Sequence, residues 1–193
     1  MQVSKNNCWN CSSNIKSFSF FCPICLKIQK PRDIDVFKIF GLPYSFSIDL
    51  EKLEVKYYDL QNQLHPDRFI NSSEEESYFS QIHSSNINHA FEKIKNSVKR
   101  AEELLKVFGF KKNNESQSFN DIEVLNQIME LQDEAENLKS ATDKKNFKNK
   151  IDNQILVLYK KIQHSFAKKN LEEVNKDTIK ISYLEKIIKN IKF

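Results

Sequence analysis

The 193-residue sequence predicts an all-helical protein preceded by a small zinc-ribbon-like segment with four cysteines. Three observations favour this fold class. The chain contains only 2 Gly and 4 Pro, too few for the many tight turns of a sheet-rich fold. Apolar residues recur at spacings of three and four residues, the period of an amphipathic α-helix. All four cysteines lie within the first 25 residues, so the rest of the chain is not a disulfide scaffold.

Composition and charge disfavour several function classes. Thirty basic and 26 acidic residues give a net charge of +4, too balanced for a dedicated nucleic-acid-binding protein. No apolar run approaches the ~20 residues of a membrane-spanning helix. Neither a nucleic acid nor a membrane is therefore expected as a partner. The residues before Cys8 show no secretory or organelle signal, which keeps the cytoplasm open as the compartment.

The cysteines form two C-x-x-C pairs, Cys8 with Cys11 and Cys22 with Cys25. Each pair can bring two sulfurs together, and two pairs complete a tetrahedral thiolate shell around one structural Zn²⁺. Metal binding would stabilise a segment too short for its own hydrophobic core. Bound iron, two redox-active dithiols or two disulfides are the other interpretations. We predict a metal-binding domain over residues 1–31.

Capping and termination signals predict the next elements. A short helix over Asp35–Phe40 ends at Gly41. Asp49 is a predicted N-cap for a longer helix that Pro66 ends, because proline disfavours helical geometry in the residue before it. The apolar stripe of this helix consists of Leu50, Leu53, Tyr57, Leu60 and Leu64.

Ser73 and Glu76 have the spacing of a capping box and predict the start of another long helix. A further helix over Val98–Phe108 ends at Gly109, a typical C-terminal stop. These elements make up a predicted second domain over residues 32–110. The inward face of the long helix is predicted to contain Phe79, Ile82, Asn86 or Ile87, Ala90, Phe91 and Ile94.

Beyond a polar linker, Lys111–Asn120, three amphipathic helices predict a bundle as the third domain, residues 111–193. The first helix carries Val124, Ile128, Leu131, Ala135 and Leu138. The second carries Phe147, Ile151, Ile155, Leu158, Ile162 and Phe166. The third follows the N-cap candidate Asn170 and carries Leu171, Val174, Ile181, Leu184, Ile188 and Ile191.

A His-Pro-Asp tripeptide, His65–Asp67, lies between the helix that begins after Asp49 and the helix that begins after Ser73. Alone it is an ordinary turn, but between two amphipathic helices it resembles the J domain of DnaJ-type co-chaperones. In detail the chain resembles the HscB type, the co-chaperones of iron–sulfur cluster biogenesis, and the cysteine pairs match its eukaryotic members. The other matching motifs are Asp35–Phe37, His65–Phe69, Asn88–Phe91 and Leu104–Gly109.

This resemblance implies a non-enzyme that docks on a DnaK-class heat-shock chaperone and stimulates its ATPase. It also implies a mitochondrion or a mitochondrion-related organelle as the compartment. The helix before the tripeptide has only Lys52 and Lys56 as bases, diluted by acids. We therefore expect either weaker electrostatic steering than usual or a chaperone surface adjusted to match. The residues implied to trigger the chaperone are His65, Pro66, Asp67 and Arg68.

The first and last bundle helices carry surplus apolar residues beside their core stripes: Ile122, Leu125 and Met129, and Ile179, Tyr183 and Ile187. Either both helices are buried on two sides, or the surplus forms a partner surface. The resemblance favours a surface for the IscU-type iron–sulfur scaffold protein. Asn126 departs from the family, where an apolar residue is usual. The implied scaffold-binding residues are Leu125, Met129, Glu130, Asp133 and Tyr183.

Two alternative functions stay open at this point. One is a general J-domain co-chaperone with another client. The other is a thiol–disulfide redox protein that uses its C-x-x-C pairs. A nucleic-acid-binding zinc ribbon is disfavoured by the near-balanced charge.

Overall fold

A computed structural model describes residues 7–111 and 122–191, except for the side chain of Glu123. Most of the predicted linker Lys111–Asn120 lies outside the described residues. The described ranges contain seven α-helices and one short 3-10 helix. They contain no β-strand, only two isolated antiparallel bridges in the cysteine segment. The prediction of an all-helical fold with an N-terminal cysteine cluster is confirmed.

The chain divides into two compact units. The first consists of the residues up to Pro43 together with Ile48–Lys95, and the second of Tyr44–Ser47 together with the residues from Asn96 onward. The first unit thus contains both the cysteine segment and the helix pair around the His-Pro-Asp tripeptide. The division into three domains with boundaries near residues 31 and 110 stays a prediction.

The first two helices of the first unit begin directly after the aspartates Asp35 and Asp49, which act as N-caps. Asp35 accepts a hydrogen bond from the backbone N–H of Lys38, and Asp49 accepts one from that of Lys52. Gly41 follows the first helix with a φ of +57°, a conformation that glycine adopts without strain. The elements of this unit are α1 (Val36–Ile39), α2 (Leu50–Leu64), a 3-10 helix (Pro66–Phe69) and α3 (Glu74–Lys95).

Helices α2 and α3 pack against each other along their apolar faces. Leu53 and Leu64 are fully buried, and the rings of Tyr57 and Phe91 stack with centroids 4.1 Å apart. On α3 the inward residue is Ile87 rather than Asn86, which is exposed. Burial of these apolar faces stabilises the helix pair.

The second unit is arranged around its last helix. Its elements are α4 (Ser97–Val107), α5 (Ile122–Glu136), α6 (Ala141–Ala167) and α7 (Leu171–Asn190). Helix α7 contacts α4, α5 and α6. Gly109, with a φ of +77°, follows α4 as predicted. Asn170 caps α7 by accepting a hydrogen bond from the backbone N–H of Glu173.

Two features of the second unit differ from the simple stripe pattern. Ile187, predicted to belong to the surplus stripe of α7, is buried, because α7 is covered by three helices rather than one. Arg100 of α4 is also buried, where its Nε donates a hydrogen bond to the backbone oxygen of Phe46 at 2.8 Å. This bond ties the short segment Tyr44–Ser47 to the second unit. In the part of the chain that is described, no helix is long and apolar enough to cross a membrane.

Candidate functional sites

The first cysteine pair lies on a tight turn. The backbone N–H of Cys8 donates to the oxygen of Ser13 at 2.8 Å, and the N–H of Ser12 donates to the oxygen of Cys8 at 3.0 Å. Ser12 has a φ of +60°, which reverses the chain directly after Cys11. The N–H of Cys11 points at the Sγ of Cys8, 3.5 Å away. The turn therefore presents both sulfurs on the same side.

The second pair repeats this geometry. The N–H of Cys22 donates to the backbone oxygen of Lys27 at 2.9 Å, and the N–H of Leu26 donates to the backbone oxygen of Cys22 at 3.0 Å. Leu26 also has a φ of +60°. Equivalent residues of the two turns are 14 positions apart, as Cys8 and Cys22 are. Only the cysteines recur at this offset, which is why the repeated turn has no wider sequence signal.

The four sulfurs form one cluster, with all Sγ atoms within 4.8 Å of one another. The Sγ atoms of Cys8 and Cys25 lie 3.6 Å apart, and those of Cys11 and Cys22 lie 3.7 Å apart. A tetrahedral zinc site with Zn–S bonds of ~2.3 Å needs sulfur–sulfur distances of about 3.8 Å. These separations are too long for disulfides, and the four cysteines are free thiols. The donor set and its spacing fit a metal ion.

The surroundings of the thiols shift their pKa values in opposite directions. Burial raises the pKa of Cys8, but hydrogen bonds from backbone N–H groups of its turn and from the amide of Gln29 outweigh it, and the pKa falls to about 6. The backbone N–H of Cys25 lowers the pKa of Cys22, but burial and the neighbouring sulfurs raise it to about 11. Four thiolates this close together repel one another unless a cation lies between them.

The His-Pro-Asp loop lies at the end of α2. Pro66 opens the 3-10 helix, and the Nδ1 of His65 accepts a hydrogen bond from the backbone N–H of Asp67 at 3.3 Å. Phe69 is buried and anchors the other end of the turn. The side chain of His65 is 52% exposed and that of Asp67 is 80% exposed. Arg68 reaches back to the backbone oxygen of Asn62. The structure thus brings the four predicted residues together on one exposed turn.

The face of α2 leading to this loop offers little free positive charge. The Nζ of Lys56 donates to the backbone oxygen of Phe40 at 2.9 Å, and Lys52 pairs with Asp49 at 3.2 Å. Val55 and Tyr58, by contrast, are largely exposed. The weak electrostatic steering expected from the sequence stays a prediction.

The predicted scaffold surface lies on α5 and α7. Leu125 and Met129 are 41% and 54% exposed, while the core stripe of α5 faces inward. Burial of α5 on two sides, the alternative left open by the sequence, is therefore wrong for this helix. Glu130 and Asp133 are exposed beside the two apolar residues, and Tyr183 is half-buried on α7.

Helices α5 and α7 lie side by side at this surface. Lys180, one turn before Tyr183, donates a hydrogen bond to the side chain of Gln127 at 2.8 Å. Gln127 in turn lies between Leu125 and Met129 in the sequence. The contact shows that α5 and α7 are neighbours here. Because Gln127 is two residues from both Leu125 and Met129, it lies on another side of α5 from them. A patch that joins Leu125 and Met129 to Tyr183 therefore stays a prediction.

Gln29 and His83 are buried polar residues of the first unit for which the sequence predicted no role. Gln29 is 3% exposed and donates a hydrogen bond to the Sγ of Cys8. His83 is buried on α3, and its Nε2 lies 2.8 Å from the backbone oxygen of Gln29. The signal for His83 is its place four residues after Phe79 and four before Ile87, on the inward face of the helix. No sequence signal points to Gln29.

Comparisons with known proteins agree on one family. Residues 120–192 match the family model described as the HSCB C-terminal oligomerisation domain. The chain is 34% identical over 113 residues to the co-chaperone protein HscB of Proteus mirabilis, covering 58% of this chain and 65% of that protein. The alignment thus spans slightly less than two thirds of that relative's length.

Two further comparisons extend the match to nearly the whole chain. The iron-sulfur cluster co-chaperone protein HscB homolog of Arabidopsis thaliana is 28% identical over 185 residues, 95% of this chain and 72% of its own length. The crystal structure of human co-chaperone protein HscB superposes with a TM-score of 0.88 at 28% identity, covering 96% of each chain. The family model, the two relatives and the human structure together support an HscB-type co-chaperone.

Proposed function

We propose that this protein binds an IscU-type iron–sulfur scaffold protein and delivers it to a DnaK-class heat-shock chaperone, whose ATPase it stimulates to promote cluster transfer. The protein itself acts as an adaptor and not as an enzyme. The observation that carries the proposal is the exposed, internally hydrogen-bonded turn over His65–Phe69 in a chain that matches HscB co-chaperones along nearly its whole length.

The turn is suited to signalling because its shape is fixed before a partner arrives. Pro66 restricts the backbone, and the bond from the N–H of Asp67 to His65 holds the imidazole ring. The carboxylate of Asp67 then points into solvent and can accept charge-assisted hydrogen bonds from basic groups of the chaperone. Such bonds stimulate the ATPase if they are stronger in the hydrolysis-competent state of the chaperone.

The patch on α5 and α7 is suited to the scaffold protein. Leu125 and Met129 supply an apolar centre, and Glu130 and Asp133 supply a polar rim. This is the usual anatomy of a protein–protein interface. Tyr183 adds a half-buried aromatic side chain. Because one chain carries both surfaces, a bound scaffold protein is held at high effective concentration near the chaperone.

We also propose that Cys8, Cys11, Cys22 and Cys25 bind one structural Zn²⁺. A bound Zn²⁺ supplies a cross-link between the two turns, and the sulfur spacings support this assignment. A metal-free protein with reactive thiols would instead favour the thiol–disulfide function. From the family resemblance, the proposed compartment is a mitochondrion or a mitochondrion-related organelle, with the cytoplasm as the alternative.

The test of the chaperone function is His65→Gln, which removes the imidazole from the turn. We expect ATPase stimulation to fall at least tenfold, because the turn loses both its internal acceptor and its presented side chain. Affinity for the scaffold protein, measured by calorimetry, should stay within twofold. The matched control is His164→Gln, the same substitution at an exposed position of α6.

Undiminished stimulation by His65→Gln would contradict the proposed role of the turn. Loss of both stimulation and scaffold binding would contradict the assignment of the two activities to separate surfaces. Stimulation by the unaltered protein without any scaffold binding would favour a general J-domain co-chaperone with another client.

A further inference from the structure

The cysteine segment is not a free appendage, because one of its residues joins the sulfur cluster to helix α3. The side-chain Nε2 of Gln29 donates to the Sγ of Cys8 at 3.4 Å and to the backbone oxygen of Lys27 at 2.8 Å. The backbone oxygen of Gln29 lies 2.8 Å from the Nε2 of His83, which is buried on α3. One buried residue therefore contacts both a metal-binding sulfur and the long helix of the first unit.

Three further contacts surround this connection. Lys27 forms an ion pair with Glu76 at 2.7 Å, and the Glu76 side chain is only 6% exposed. The rings of Trp9 and Phe79 meet edge to face with centroids 5.8 Å apart. The ring of Phe20 packs in the same way on His83, at 5.2 Å. The cysteine segment thus contacts the face of α3 that carries Glu76, Phe79 and His83.

Apart from these contacts with α3, the cysteine segment has only a small hydrophobic core of its own. Its buried apolar cluster consists of Cys8, Ile15 and Cys22, with Cys25 packed against it. Two of the three fully buried members are themselves metal-binding candidates. A core this small does not offset the conformational entropy of ordering the segment, so the cross-link through the sulfurs decides whether it is folded.

Helix α3 also contacts the His-Pro-Asp loop. The 3-10 helix Pro66–Phe69 contacts α3, and Phe69 is buried. At the start of α3, the Oγ of Ser73 accepts a hydrogen bond from the backbone N–H of Glu76 at 3.3 Å. Glu76 is therefore shared between the helix start beside the loop and the ion pair with Lys27.

We propose that metal occupancy of the cysteine cluster is thermodynamically linked, through Gln29 and His83, to the stability of the N-terminal half of α3. Metal binding orders the cysteine segment, and the ordered segment buries Glu76, Phe79 and His83. The metal site is then a support for the chaperone-triggering half of the protein. This inference deepens the proposed zinc role and rests on it, but it does not depend on the identity of the scaffold protein.

The first test compares amide hydrogen exchange of the full-length protein loaded with Zn²⁺ and after removal of the metal with a chelator. We expect amides in residues 76–87 to exchange at least fivefold faster without metal, a coupling of about 1 kcal/mol or more. Amides of α7, in the other unit, should change by less than twofold. Equal exchange of residues 76–87 with and without Zn²⁺ would overturn the linkage.

The second test uses reciprocity, since a linkage must act equally in both directions. His83→Leu removes the donor to Gln29 without touching a cysteine. We expect Zn²⁺ affinity, measured by competition with a chromophoric chelator, to fall at least threefold. His83→Gln, whose amide can again donate to Gln29, should recover affinity to within twofold of the unaltered protein. His89→Leu, the same change at an exposed position of α3, is the control.

The outcomes separate the linkage from the zinc proposal. Equal Zn²⁺ affinity of His83→Leu and His89→Leu would overturn the linkage while leaving the zinc site intact. A full-length protein that binds no Zn²⁺ would overturn the zinc proposal and the linkage with it. If amides of α7 exchange at the same rate in the His83→Leu variant as in the unaltered protein, the second unit of the variant is folded.

Discussion

At the scale of single residues, the second unit contains a carboxylate that its surroundings do not fully satisfy. Asp177 on α7 is nearly fully buried, and its Oδ1 lies 3.2 Å from the Nζ of Lys161. Its Oδ2 is the buried side-chain oxygen for which no hydrogen-bond partner exists among the described residues. Burial raises the pKa of Asp177 above its ordinary value. Lys161, which is about half exposed, also pairs with Glu173.

We expect Asp177→Asn to stabilise the protein by about 1 kcal/mol at pH 7, because it removes a buried charge with one unsatisfied oxygen. Since the folded-state pKa is raised, the folded protein holds this proton more tightly than the unfolded chain. Stability from this group is therefore present below the unfolded pKa of ~3.9 and is lost as pH rises through the folded pKa. The gain from Asn should shrink as the pH is lowered, which thermal unfolding at several pH values measures.

The control for this prediction is Asp152→Asn, at an exposed i,i+4 pair with Lys148 on α6. Surface pairs contribute ~0–1 kcal/mol, so this change should leave the melting temperature nearly unaltered. A destabilisation by Asp177→Asn at pH 7 would show that the ion pair with Lys161 outweighs the cost of burying the charge.

At the scale of elements, α2 differs from the basic helix that the family resemblance implies. Its two lysines are engaged within the protein, Lys52 with Asp49 and Lys56 with the backbone of Phe40. The exposed side chains of α2 include Val55 and Tyr58. The helix therefore offers apolar surface where electrostatic attraction is usual.

We expect chaperone binding by this protein to depend weakly on salt, falling less than about threefold between about 50 and about 300 mM salt, because few free charges are available for screening. Tyr58→Ala should weaken binding more than Lys52→Ala does. Surface plasmon resonance with the immobilised chaperone measures both effects. A tenfold loss of affinity over this salt range would show that charges elsewhere on the protein steer the encounter.

At the scale of the whole molecule, the two proposed binding surfaces belong to different compact units. The His-Pro-Asp loop lies in the first unit and the patch on α5 and α7 in the second. Each unit has its own buried core. Substitutions of exposed residues in one unit should therefore leave the activity of the other intact.

We expect the double substitution Leu125→Ala with Met129→Ala to weaken scaffold binding by a few kcal/mol or less, because it removes the apolar centre of the patch. Basal stimulation of the chaperone ATPase without scaffold protein should be unchanged. Isothermal titration calorimetry and a steady-state ATPase assay measure the two quantities. The matched control is Leu156→Ala with Val157→Ala, two exposed aliphatic residues on α6. Equal scaffold affinities of the two double variants would refute the patch.

The sequence by itself determined the local structure. Two helices start at the N-caps Asp49 and Asn170, and one helix ends before Gly109. These boundaries could be predicted because capping bonds and glycine turns involve only a few neighbouring residues. Apolar spacing likewise indicated most of the buried residues of the helices, with Leu50, which is exposed, and Ile187, which is buried, as exceptions. The two C-x-x-C pairs indicated a tetrathiolate cluster, because a tight turn fixes the sulfurs of each pair.

Tertiary structure alone decided how distant segments meet. The contact of His83 with Gln29 joins residues 54 positions apart, and no periodicity encodes such a pair. The burial of Ile187 and Asp177 depends on α7 contacting three helices at once. Spacing along a chain reports the face of a helix, but it does not report how many neighbours cover that helix. Those neighbours are set by packing of the whole unit, in which many weak contacts between distant residues act together.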